Sequence, residues 1–74
     1  MRFKGAAIRQ LRESRSWTTR ELARRIAATG HFSGFTHQRV EQLERSDNVS
    51  HRVICALCEV FHIQPAELFE EEKD

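Results

Sequence analysis

Apolar residues recur along this chain at helical spacing, in separate bursts divided by short polar or glycine-bearing stretches. The first burst is Phe3, Ala7, Ile8 and Leu11, with Arg9, Arg12 and Arg15 at other positions; it predicts an amphipathic helix over roughly residues 3–14, ended by Ser14-Arg15-Ser16. A helix start follows, with Thr18 as N-cap, Glu21 three residues later completing a capping box, and Trp17 and Leu22 spaced as a hydrophobic staple. The second helix is expected to bury Leu22, Ala23 and Ile26, with Ala27 at its edge. The same staple spacing recurs at Phe35/Val40 around Thr36, at Val49/Ile54 around Ser50 and at Ile63/Leu68 around Gln64. Ile54, Leu57, Cys58 and Phe61 then form the stripe of a fourth helix. Pro65 at a first helical position and Glu67 two further on mark a fifth helix of one or two turns carrying Leu68 and Phe69. Four such starts plus the leading helix give five helices. No run alternates apolar and polar residues as a half-buried strand would, so the expected class is all-α.

One stretch breaks the rhythm. Ala27-Ala28-Thr29-Gly30-His31-Phe32-Ser33-Gly34-Phe35 carries the second helix to Ala28 or Thr29, stops it at Gly30, and loops through residues 31–34 to the staple residue Phe35. Phe32, with Gly30 and Gly34 on either side, is either a cover over Phe35 or an exposed anchor for a partner chain. The intact staple beyond it predicts that the third helix stays docked through Phe35 and Val40.

That third helix is where candidate chemistry collects. Val40 and Leu43 fall on one side, while Gln38, Gln42 and Arg45, spaced i, i+4, i+7, line the other. Glutamine can grip the N6/N7 edge of adenine with two hydrogen bonds, and arginine can do the same to O6/N7 of guanine, as reading the DNA major groove requires. An ordinary solvated helix face has the same polarity, so the neighbourhood has to decide. The net charge of +1 hides a split: residues 1–45 hold ten Lys/Arg against four Asp/Glu, a net +6, and residues 46–74 hold two against seven, a net −5. A basic half that carries the row suits a polyanionic partner. The acidic end, residues 70–74, fits either this dipolar layout or a solubilising tail.

Other classes find little support. Seventy-four residues make one domain with a thin core, which dimerisation would help to stabilise. The charged start Met1-Arg2-Phe3-Lys4-Gly5 lacks a signal-like apolar region, and no apolar run approaches the roughly 20 residues of a membrane span, so the expected location is cytoplasmic. Two cysteines are too few for a disulfide framework, and Cys55-x-x-Cys58 lies in a helical stretch without the βαβ setting of a redox dithiol; free thiols are expected. His51, Cys55, Cys58 and His62 share one stripe of the fourth helix, but four ligands along about 16 Å of straight helix cannot surround one tetrahedral ion. No metal or other cofactor is expected. With no paired carboxylates in a cleft, no glycine-rich phosphate loop and no nucleophile with a base, the chain does not read as an enzyme.

Glu21-Leu22-Ala23, then Thr36-His37-Gln38-Arg39-Val40-Glu41-Gln42-Leu43-Glu44, then Ile63-x-Pro65-x-Glu67-Leu68-Phe69 resemble the lambdoid phage repressor and Cro family of five-helix, helix-turn-helix DNA-binding domains. The resemblance covers about residues 5–69 and is most specific in the third helix. It implies a DNA-binding domain over residues 1–69, with no room for a sensor or catalytic domain, followed by the tail at 70–74. The family's binding mode implies a homodimer occupying a palindromic operator to control transcription, without a small-molecule ligand or a membrane. Carried over by position, His37, Gln38 and Gln42 would read bases, and Arg39, unusual at its place, would join them at a base or reach a phosphate. Thr18, Thr19, Arg20, Thr36, Arg45 and Ser46 would contact phosphates, and Arg12 and Glu44 would form an ion pair between the first and third helices. Two departures stand out. The connection between the second and third helices is about seven residues longer than the family's 3–4-residue turn, and Ser46 and His62 stand where glycines usually follow the third and fourth helices. A rival reading keeps the fold but makes it a protein-interaction module, antitoxin-like or adaptor, which would be indifferent to DNA even at low salt.

Overall fold

In the computed structural model, which describes residues 2–70, four α-helices succeed one another: α1 (Gly5–Ser14), α2 (Thr19–Ala28), α3 (His37–Glu44) and α4 (His51–Phe61). Three begin as their sequences dictate. The hydroxyl oxygens of Thr18, Thr36 and Ser50 accept hydrogen bonds from the N–H groups of Glu21 (3.0 Å), Arg39 (3.3 Å) and Val53 (3.3 Å), each satisfying one of the donors left unpaired at a helix start. Helix α2 ends with Thr29 as its cap and Gly30 at φ +82°, a left-handed conformation that suits glycine.

The ends of the chain correct the all-α, five-helix expectation. The expected fifth helix is a single 3-10 turn, Pro65–Leu68, in which the Gln64 N–H donates to the Glu67 carboxylate at 2.9 Å. Phe69, expected within that helix, instead opens strand β2 (Phe69–Glu70), which pairs antiparallel with β1 (Arg2–Phe3) in the register Phe3↔Phe69. The first helix accordingly starts at Gly5 and not near Phe3. Two-residue strands hold only a single alternation of apolar and polar positions, too little for periodicity to reveal them. The Phe3 and Phe69 rings meet edge to face, centroids 6.0 Å apart, and the Lys4 N–H bonds the Leu68 carbonyl at 2.9 Å.

Each helix contributes to one core. Ile8, Leu22, Ile26, Val40, Leu57, Phe61 and Leu68 lose essentially all contact with water, each such burial stabilising by about 1.5–3 kcal/mol. Helix α4 is rotated from the expected face: Val53 and Ala56 join Leu57 and Phe61 in the core, while Ile54 and Cys58 are half-buried. Apolar residues surround this helix on most sides, which left its inner face ambiguous in the sequence. Trp17, expected to staple onto Leu22, stacks on Phe61 with centroids 5.7 Å apart and an interplanar angle of 15°.

Helix α1 meets the end of α3 at unusually close range. The Gly5 N–H donates to the Ser46 carbonyl at 3.2 Å, and a Cβ at position 5 would stand 2.2 Å from the Leu43 carbonyl oxygen. The two positions where glycines were missed resolve differently. His62 takes the left-handed conformation itself, φ +56° and ψ +51°, whereas Ser46 keeps a negative φ and its hydroxyl both donates to the Asn48 carbonyl and accepts the Asn48 N–H, each at 2.9 Å. No described helix is long and apolar enough to cross a membrane. The expected acidic tail lies outside the described residues, apart from the backbone of Glu70.

Candidate nucleic-acid interface

Helix α3 is held from three directions. Val40 anchors it in the core, and Phe35, only 8% exposed, seals its approach. Arg12 of α1 grips its last turn: Nε and Nη2 donate to the two carboxylate oxygens of Glu44 at 2.6 and 3.1 Å, while Nη1 donates to the Trp17 carbonyl at 2.8 Å. These side chains are 12% and 8% exposed, so the bidentate pair is largely removed from water. The hydrogen bond to Glu44 holds the Arg12 guanidinium above its ordinary range, against the opposing effect of burial. One arginine thus fastens α1, the approach to α2 and α3 together.

With its inner side fixed in this way, α3 must turn the opposite side outward. Gln38, Gln42 and Arg45 are exposed, and His37 is half-buried. Shallow depressions flank the helix, one lined by Arg39, Gln42, Leu43 and Ser46, the other by Arg9, Glu41, Glu44 and Arg45. Thr36, exposed at the cap, uses its hydroxyl oxygen to accept from the Arg39 N–H, which leaves the hydroxyl proton to donate elsewhere. Thr18 stands the same way at the start of α2 beside half-buried Thr19 and exposed Arg20. Two helix N-termini, each with a capping threonine, can offer partial positive charge and donors to an anion.

The cations divide sharply by availability. Arg20 and Arg45 are exposed and pair with no acid among the described residues. Arg24 and Arg25 both bind half-buried Glu21, at 2.5 and 2.7 Å, and the Arg24 hydrogen bond leads in holding that carboxylate below its usual range. Arg15 turns inward, donating to the carbonyls of Leu11 and Phe61 at 3.1 and 3.0 Å. Arg9 pairs with Glu13 on an open surface, at 3.3 Å. Ser46 has both roles of its hydroxyl committed to Asn48 and its N–H to the Leu43 carbonyl at 3.1 Å, so little of it remains for a phosphate.

Sequence reasoning missed what the eight residues of the connection, 29–36, do beside α3. Phe32 is half-buried and meets Phe35 edge to face at 5.1 Å, and the guanidinium carbon of Arg39 lies 4.3 Å from the Phe35 ring centroid and 5.3 Å from that of Phe32. Phe32 therefore covers Phe35, one of the two roles open to it. His31 reaches across to the Glu59 carboxylate of α4 and pins the middle of the connection. Aromatic residues four and seven positions before Arg39 were the available signal, but only a known loop path could make it legible. On α4, His51 and Cys55 approach to 3.5 Å, both thiols are free, and burial pushes the Cys58 thiol up. Among the described residues no group of three or more histidine, cysteine or acidic side chains could hold a metal ion.

In comparison with known proteins, a family model described as a helix-turn-helix domain matches residues 5–70. No curated protein and no solved structure matches the chain.

Proposed function

From the premise that the chain belongs to the helix-turn-helix domain family, we propose that it is a sequence-specific double-stranded DNA-binding regulator of transcription, of the phage repressor and Cro type. Helix α3 enters the major groove, and Gln38 and Gln42 hydrogen-bond base edges there, with His37 at the N-terminal end of the row. Thr18, Thr19 and Arg20 at the start of α2, Thr36 at the start of α3, and Arg45 just beyond it contact phosphates and fix the register. The observation that carries this reading is the outward row itself: a helix fixed by Val40, Phe35 and the Arg12–Glu44 pair presents two exposed amides one turn apart, with exposed Arg45, paired with no acid among the described residues, beyond them.

The protein works in the cytoplasm as a homodimer on a palindromic operator, because a single short helix reads few base pairs and two copies related by a dyad place two such helices one helical turn, about 34 Å, apart. Binding of random duplex DNA across a salt series tests the first step. Phosphate neutralisation releases counterions, so affinity should fall steeply as salt rises. Indifference to DNA at low salt would instead favour a domain that holds a protein partner. Sedimentation on half-site and full-site duplexes tests the second step; two independent monomers on the full site would refute the dimer.

A further inference from the structure

We propose that Phe32, contributed by the connection between α2 and α3, is a specificity-determining residue: with Phe35 it positions the Arg39 guanidinium to make a bidentate contact with a guanine beside the base that Gln42 reads. This rests on the DNA-reading role of α3. Three observations join here. Arg39 is exposed on the first turn of α3, its guanidinium lies over both rings, and it pairs with no acid among the described residues, unlike Arg9, Arg24 and Arg25. Contact with a ring engages the face of a guanidinium and leaves the N–H donors in its plane unused. Arg39 also lines the same shallow depression as Gln42, three residues along the exposed side of α3.

The platform beneath it is anchored on both sides. Phe35 is sunk in the core, Phe32 meets it edge to face, and the preceding residue, His31, is tied to Glu59 of α4. A long arginine side chain ordinarily loses rotamer freedom when it binds; one already restrained loses less. The planar fork then matches the O6 and N7 acceptors of guanine. On this account the residues that lengthen the turn between α2 and α3 serve the reading surface, and Phe32 acts through Arg39 without touching DNA.

Selection of sites from a random duplex pool, followed by equilibrium binding, tests the proposal with the wild type, Gln42→Ala, Arg39→Ala, Phe32→Leu, Phe32→Tyr and the Phe32→Leu/Arg39→Ala double variant. The wild-type site should contain a guanine that Arg39→Ala ceases to discriminate, with affinity lost by about 5- to 150-fold. Phe32→Leu should weaken discrimination at that same guanine by about 2- to 5-fold, Phe32→Tyr should keep it, and Phe32→Leu should add nothing once Arg39 is gone. Urea unfolding of the two Phe32 variants checks that they fold; Phe32→Tyr retains the ring and supplies the test should Phe32→Leu not fold. Effects that add in the double variant, or an Arg39→Ala loss equal on all duplexes with a shallower salt slope, would overturn the proposal and make Arg39 a phosphate contact. The failure of the underlying reading looks different: the wild type then enriches no sequence at all. An enriched site sensitive to Gln42→Ala but not to Phe32→Leu rejects the proposal alone.

Discussion

Replacing Arg12 with alanine should be among the most damaging single changes in the domain, and the structure gives the size of the effect. The substitution removes both hydrogen bonds to Glu44 and the one to the Trp17 carbonyl. Glu44, its side chain 8% exposed on the last turn of α3, would lose the guanidinium that satisfies both its carboxylate oxygens. Stranding one member of a buried pair costs about 3–5 kcal/mol; the residual exposure of this pair puts the expectation near the lower end, about 3 kcal/mol. A domain of this size has a total stability of about 4–11 kcal/mol, so the variant should be marginal. The melting temperature should drop by about 12–24 °C. Urea unfolding followed by tryptophan fluorescence is a direct assay, since Trp17 reports on the same contact. Glu44→Ala should cost less than Arg12→Ala, because the long arginine can turn its head toward solvent and keep the Trp17 carbonyl. A loss for Arg12→Ala within about 0.5 kcal/mol would show that the pair is solvated and merely positional.

Two further substitutions test the backbone. Gly5→Ala should destabilise by about 1–3 kcal/mol in urea unfolding despite alanine's higher helix propensity, because its Cβ would stand 2.2 Å from the Leu43 carbonyl oxygen, a backbone atom that cannot swing aside; an unchanged midpoint would mean that α1 and α3 are not so closely apposed. His62→Gly should stabilise by about 0.5–1 kcal/mol, since exposed His62 sits at φ +56°, where a non-glycine residue is strained by about 1–2 kcal/mol and glycine's extra freedom in the unfolded chain offsets part of the gain. Destabilisation by His62→Gly would reveal a contact of the imidazole that outweighs the strain.

The residues that were legible in the sequence were those whose signal is local. Thr18, Thr36 and Ser50 each stand next to the helix they cap, and Val40 and Gln42 are assigned to opposite sides of α3 by spacing alone. What escaped depends on distant partners. The β1–β2 ribbon needs Phe3 to find Phe69 across the whole chain, and strands this short leave too little alternation to detect. The inner face of α4, Val53 and Ala56 included, was set by the neighbours the helix packs against, because its sequence is apolar nearly all round. Arg39 was expected to reach a base or a phosphate, and its seat over Phe35 and Phe32 follows from the path of the connection, which no periodicity encodes. Arg15, Arg24 and Arg25 illustrate the same limit: their charges were visible, but their commitment to carbonyls and to Glu21 was not.

The central claim is that the outward face of α3 reads bases, and equilibrium binding of the wild type and of Gln42→Ala to a selected operator and to its scrambled duplex, over a salt series, tests it most directly. Gln42 carries no charge, so its loss should weaken operator binding by about 1–3 kcal/mol while leaving the scrambled duplex and the salt slope nearly unchanged. Arg45→Ala, measured alongside, should weaken both duplexes alike and lower the slope by about one. Equal weakening of operator and scrambled DNA by Gln42→Ala would contradict the account and remove α3 as the reading element.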